Sequence, residues 1–241
     1  MKIESLTNTK VKNWVKLHKK KGREEFQKFI VEEEHLIIEA LKHNAVDTII
    51  YLNENPFDFD NCIQVNQAVM KKVSTNVSLV RYIAICNIRD LKIDNNNRLL
   101  ILDDVQDPGN LGTIIRSAKS FGFDGIYISE KCVDVYNDKC IRSSQGAFFD
   151  YPIIRCDITN LLDKLKNQDV LIIGTSLQTT IPLTSLESAD KMAFIMGNEG
   201  NGVSKEVLSK CDKIVKIEMK NFESLNVGVA TSIIMYEFRK I

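Results

Sequence analysis

RLLILDDVQDPGNLGTIIRSAKSFGFDGIYIS, residues 98–129, holds a strand, a loop, a helix and a second strand in immediate succession. Leu99, Leu100, Ile101 and Leu102 form the uninterrupted apolar run of a strand buried on both faces. Ile114, Ile115 and Ala118 then fall on the apolar side of a helix over 111–121, and residues 125–129 return as a strand. Two strands joined by a helix predict a parallel pair. Downstream the alternation continues, with helices expected over 159–166, 204–210 and 226–239 and strands over 169–174, 191–196 and 213–217. The reading is an α/β domain with a mostly parallel sheet and helices on both faces.

Upstream the composition changes. Of eleven glycines only Gly22 precedes residue 97. The polar turn Asp94-Asn95-Asn96-Asn97 predicts a boundary between residues 1–95 and 96–241. The first part opens with a basic helix: residues 1–28 carry nine Lys/Arg against three Glu, a local net of +6. Val11, Trp14 and Val15 supply its apolar stripe, and Lys12, Lys16, Lys19, Lys20, Lys21 and Arg23 are candidate phosphate contacts, against the plainer reading of a solvated face. Strands over 29–31, 48–52, 63–65 and 81–86 and a helix over 33–43 complete a small α/β sandwich.

The chain has 241 residues, 44% apolar and 27% charged, with 32 Lys+Arg balancing 32 Asp+Glu. That excludes a disordered tail and a disulfide-stapled miniprotein, and leaves no global field toward nucleic acid. No apolar run reaches the ~18–20 residues of a membrane helix, and none resembles a leader. A soluble, cytoplasmic protein without a membrane partner is expected. The six cysteines form no C-x-x-C pair, and all three histidines (His18, His35, His43) fall within the first 43 residues. Chemistry in the second part therefore proceeds without imidazole, and no metal site is expected.

Three loops follow strand ends, where open α/β sheets bind ligands. In the first, residues 103–116, Pro108-Gly109 turns the chain and Asn110 is placed to cap the next helix. The second, Gly197-Asn198-Glu199-Gly200-Asn201-Gly202, lacks both the dinucleotide fingerprint and the Walker lysine. Its glycines imply close backbone approach, and Glu199 is poorly explained as turn filler. The third runs through Ser224, Leu225 and Asn226 into the last helix, where Gly228 costs about 1 kcal/mol relative to alanine and implies tight packing.

Taken in order, these motifs resemble the SpoU group of RNA ribose 2′-O-methyltransferases, in the SPOUT superfamily. Asn110-x-Gly112-x-x-x-Arg116 is similar to its first motif, Gly197-Asn198-Glu199-Gly200 to its second, and Ser224-Leu225-Asn226-Val227 to its third. Arg142-Ser143-Ser144-Gln145-Gly146-Ala147 resembles a further family segment. The likeness spans about residues 98–239. Glu218 stands where the family usually has proline and Gly228 where it usually has serine. The first domain resembles, more weakly, the family's substrate-binding domain, related in fold to kink-turn-binding ribosomal proteins, with Glu33 in place of a common glycine.

The resemblance implies a C-terminal trefoil knot and a homodimer formed through the second domain. It implies S-adenosylmethionine held by Gly174, Thr175, Ser176, Leu177, Gly197, Ile217, Met219, Leu225 and Asn226. Asn110, Arg116, Glu199, Ser224 and Asn226 would form the catalytic set, Asn110 and Glu199 holding Arg116 and the ribose. Because guanidinium is ordinarily protonated, Arg116 suits a phosphate and the 2′-oxygen better than a proton. The substrate implied is structured RNA, large-subunit ribosomal RNA ahead of transfer RNA. A non-catalytic RNA-binding protein and, more remotely, a nicotinamide oxidoreductase are the rival classes.

Overall fold

A computed structural model describes residues 2–221 and 224–240; Phe222 and Glu223, two residues of the third loop, lie outside the described residues. The chain divides into two compact units, Met1–Asp90 and Leu91–Ile241. The division falls before the Asn-rich turn rather than within it. Ile93 packs into the core of the second unit, where it fills the space that a Cβ on Gly125 would need, 2.4 Å from Ile93 Cγ1.

The first unit runs β1 (Lys2–Ile3), α1 (Thr9–Lys16), α2 (Lys20–Phe26), β2 (Lys28–Val31), α3 (Glu34–Lys42), β3 (Val46–Tyr51), β4 (Cys62–Val65), α4 (Gln67–Val73) and β5 (Tyr82–Asn87). The sheet order is β1-β4-β3-β5-β2, parallel at β1/β4 and β3/β4 and antiparallel at β3/β5 and β2/β5. Val11, Trp14 and Leu17 join Val69, Met70 and Val73 over Ile50, Ile63 and Ile83, a core in which each fully buried large side chain contributes about 1.5–3 kcal/mol. The expected single basic helix is in fact two. Asn8 caps α1 by accepting from the Lys10 amide at 2.9 Å, and the chain breaks after Lys16. Gly22 permits the break: a Cβ there would sit 2.1 Å from the Lys16 carbonyl oxygen.

The second unit runs β6 (Arg98–Leu102), α5 (Pro108–Ser120), β7 (Gly125–Ile128), α6 (Asp138–Ser144), β8 (Ile153–Arg155), α7 (Ile158–Lys166), β9 (Leu171–Thr175), β10 (Met192–Met196), α8 (Lys205–Leu208), β11 (Lys213–Val215) and α9 (Val227–Glu237). Its strands are all parallel, in the order β11-β9-β10-β6-β7-β8. Alternate residues of each strand face opposite sides. Leu99, Ile101, Ala193 and Ile195 meet Leu161, Leu162 and Leu165 of α7. On the other face Phe194 stacks on Phe238, ring centroids 4.9 Å apart, just beyond α9. Buried Arg98 ties that helix end down, donating to the carbonyls of Phe238 (3.0 Å) and Asp190 (2.9 Å) and to Ser188 Oγ (2.9 Å). Strand order reverses between β6 and β10, and in such sheets ligands bind at the C-terminal strand ends.

Candidate functional site

The three loops converge at that edge. Asp103 N donates to Met196 O at 2.8 Å, and Asn198 Nδ2 donates to Asp104 O at 2.9 Å, locking the first loop to the second. Asp107, not Asn110, caps α5: its Oδ1 accepts from the Asn110 amide at 2.9 Å, and Pro108 occupies the first helical turn, where no N–H is missed. A salt bridge from Lys139 at 2.8 Å and then the Asn110 amide hold the Asp107 carboxyl below its ordinary range. Asn110 is thereby carried into the first turn, its side chain turned toward the other loops.

Its amide group bridges them. Asn110 Nδ2 donates to Glu199 Oε1 at 3.1 Å, while Asn226 Nδ2 donates to Asn110 Oδ1 at 2.9 Å. Glu199 also accepts from the backbone amides of Asp107 (3.1 Å) and Gln106 (3.2 Å). Partial desolvation pushes the Glu199 pKa up, but these hydrogen bonds together outweigh it and leave the carboxyl below its ordinary value. Asn226 Oδ1 caps α9, accepting from Gly228 N (2.9 Å) and Val229 N (3.2 Å). A Cβ on Gly228 would lie 3.2 Å from Asn226 Oδ1, a tight contact that a small shift of that side chain would relieve. Residues 198–202 close as a tight hairpin, with paired backbone bonds of 3.0 and 2.9 Å between Asn198 and Gly202. Gly197 beneath it has no room for a side chain, because a Cβ would stand 2.0 Å from the Gly202 carbonyl carbon.

Between the second and third loops and the end of β9 lies a cavity of about 430 Å³. Thr175, Ser176, Leu177, Gly197, Ile217, Met219, Leu225 and Asn226 all line it, as do Glu199 and Ser224. Gly174 does not. It lies within β9, and its missing Cβ makes room for Cys211 Sγ, which would otherwise be 2.7 Å away. Arg116 is exposed on α5 and its guanidinium has no partner among the described residues. Asn110 and Glu199 hold each other rather than Arg116, which stands six residues on, about 9 Å along the helix and about 120° around it.

A model described as the SpoU rRNA methylase family matches residues 97–236. The chain belongs to this family. A second model, the MRM3-like substrate binding domain, matches residues 8–78. Among relatives of this SpoU-family chain is the Bacillus subtilis 23S rRNA (guanosine(2553)-2′-O)-methyltransferase RlmP, 36% identical and covering 98% of each chain. An uncharacterized tRNA/rRNA methyltransferase of Synechocystis is 31% identical, covering 99% of this chain and 93% of its own. The AdoMet-bound crystal structure of an rRNA methyltransferase from Sinorhizobium meliloti superposes with a TM-score of 0.86 at 26% identity, covering 98% of this chain and 96% of that one.

In this SpoU-family chain the basic residues of the first unit divide. Lys12, Lys19 and Lys21 are exposed. Lys16 pairs with Glu25 at 3.5 Å and lies over the Phe26 ring, and Lys20 approaches Glu24 at 3.8 Å. Arg23 is half-buried and donates to the Leu17 carbonyl at 2.8 Å, fastening α2 to the end of α1 instead of facing outward. Two site residues escaped the sequence reading, Asp107 and Asn198. An acidic residue directly before proline is a helix-start signal that would have identified the first. Asn198, within a quoted motif, carried no signal separating it from a turn residue.

Proposed function

We propose that the protein transfers a methyl group from S-adenosylmethionine to a ribose 2′-hydroxyl of ribosomal RNA, in the large subunit. The observation that carries this reading is the cavity at the strand ends, closed on one side by the bonded set Glu199–Asn110–Asn226. Its volume falls within the range of about 300–1,000 Å³ usual for small-molecule sites. The donor set suits the cofactor: apolar walls from Leu177, Met196, Met219 and Val227 fit a flat purine, and the glycine loop leaves backbone groups uncovered for its polar edges. When bound, S-adenosylmethionine supplies a methyl already activated by its sulfonium.

The residues here then have to bind and align. Thr175 to Leu177, Gly197, Ile217, Met219 and Leu225 form the cofactor walls. Glu199, held by three donors, fixes Asn110, and Asn110 with Asn226 and Ser224 orients the ribose at the rim. Arg116 binds the adjacent phosphate, a role supported by its exposed guanidinium, which has no partner among the described residues. Alignment of this kind can contribute about 7–11 kcal/mol of the barrier, more than general-base help.

The same reading extends to the architecture. After β11 the chain is bonded to the segment following β9 on both sides of Lys216, through Lys216 N to Ile181 O (3.0 Å) and Leu183 N to Lys216 O (2.7 Å). It then turns back so that α9 meets α5, where Ser232 Oγ donates to Ser117 Oγ at 3.1 Å. That path supports a threaded, trefoil-knotted C-terminus. Val229, Ile233 and Tyr236 form an exposed apolar stripe at helical spacing on α9, which supports a homodimer through the second unit. The first unit serves as the RNA-binding, kink-turn-type module. No described helix is long and apolar enough to cross a membrane, and we place the enzyme in the cytoplasm, acting without a metal. Calorimetric titration tests the reading: S-adenosylmethionine binds and NAD does not, whereas the reverse result would end it.

A further inference from the structure

Glu32, at the end of β2 in the first unit, is buried, 8% exposed, and ion-paired with no described residue. A carboxylate in that position needs donors, and all of them come from one distant loop. Ser74 Oγ (2.7 Å), Thr75 Oγ1 (2.6 Å), Asn76 Nδ2 (2.7 Å) and the Thr75 amide converge on its two oxygens. The loop is thus wrapped around a charge and held to it by four hydrogen bonds. Immediately beyond the anchored residues it presents Val77, fully exposed, and Leu79, 52% exposed. Folding gains nothing from apolar side chains displayed on a loop built this firmly.

The surroundings indicate what would cover them. Residues 61–89 contain Lys71, Lys72, Arg81 and Arg89 and no acidic residue. Lys71, Lys72 and Arg81 are exposed and flank the loop. His18 Nε2 meets Val73 O at 2.7 Å, which brings the exposed Lys19 to the same end of α4. Exposed cations beside an apolar loop tip fit a phosphate backbone carrying an unstacked base. We infer that the Glu32-anchored loop is an RNA-docking element of this protein, in which Lys71, Lys72 and Lys19 take phosphates and Val77 and Leu79 pack against an unpaired base. Glu32 is its positioning residue. The inference rests on the RNA reading above and adds the surface that selects the RNA.

The test uses the full chain and 23S ribosomal RNA transcribed in vitro. Val77→Asp with Leu79→Asp weakens RNA binding at least about ten-fold, while S-adenosylmethionine affinity stays at the wild-type value. Lys71→Ala with Lys72→Ala lowers the slope of log affinity against log salt by about 1.4–1.8. Glu32→Gln raises KM for RNA with kcat at saturating RNA retained, a split that general loss of stability would not produce. Should Glu32→Gln fail to fold, the surface variants still decide the matter. Wild-type RNA affinity in the Val77/Leu79 variant, with an active wild-type enzyme as control, overturns the docking loop alone. A wild-type protein that neither binds nor methylates this RNA overturns the underlying RNA reading and the loop with it.

Discussion

Gly197→Ala is the most demanding perturbation of the site geometry. The added Cβ would stand 2.0 Å from the Gly202 carbonyl carbon, 2.1 Å from Val203 N and 2.3 Å from Gly202 O. Carbon atoms rest at about 3.5–4.0 Å, so the facing strand of the hairpin must retreat by about 1.5 Å. Every obstructing atom is backbone, and no rotamer change relieves the contact. Overpacking of this kind costs about 1–3 kcal/mol. Retreat also strains the two Asn198–Gly202 bonds of 3.0 and 2.9 Å, each contributing about 0.5–1.5 kcal/mol. The combined loss is about 4 kcal/mol, which for a unit of this size lowers Tm by about 8–16 °C. Glu199 moves with the hairpin, so the bond to Asn110 goes too. Scanning calorimetry reads the first effect and titration with S-adenosylmethionine the second, where affinity should fall more than about ten-fold. An alanine variant that melts within about 2 °C of wild type and binds the cofactor normally would refute the close-approach argument.

Arg116→Ala should abolish methyl transfer and leave S-adenosylmethionine affinity within a few-fold, because Arg116 does not line the cavity; equal loss of both would reverse its assignment. Asn226→Ala removes the α9 cap, worth about 1 kcal/mol, and weakens cofactor binding by calorimetry; unchanged affinity counts against its place in the cavity wall. Glu199 has a folded pKa below its unfolded value, so its stabilisation is present above the ordinary carboxylate pKa and disappears as pH falls through the lowered one. The Tm gap between wild type and Glu199→Gln, set by about 1 kcal/mol at this exposed site, should therefore be constant at neutral pH and close below about pH 4. A gap that widens on acidification would contradict this. Deleting residues 1–90 should leave a folded, cofactor-binding unit that methylates RNA poorly, as judged by circular dichroism and methyl incorporation; an unfolded product would contradict two separate cores.

What the sequence disclosed follows the length of the elements. The buried strands around Leu100 and Phe194 and the helix carrying Ile114 and Ile115 were legible because continuous apolar runs and two or more helical turns leave a periodic trace. α4 and α6, seven residues each, and the three-residue β8 were too short to leave one. The basic helix was drawn as one piece because its lysines continue across the break, whereas the Gly22–Lys16 contact that divides it is tertiary. At the site, the expected cofactor residues Thr175, Ser176, Leu177, Gly197, Ile217, Met219, Leu225 and Asn226 line the cavity and Gly174 does not, while the bonding among the loops left no trace in the sequence. The capping role went to Asn110 because proline at the first helical position was read as a turn, and Arg116 was joined to partners that helix geometry sets on another face. The Glu32 network links residues more than forty positions apart and has no local signature.

The central claim is tested most directly by incubating the purified protein with isotopically labelled S-adenosylmethionine and protein-free 23S ribosomal RNA, then analysing nucleosides by mass spectrometry. Label is expected on a ribose 2′-oxygen at a defined nucleotide, absent with Arg116→Ala. Label on a base, or no incorporation by a protein that binds both S-adenosylmethionine and the RNA, would contradict it.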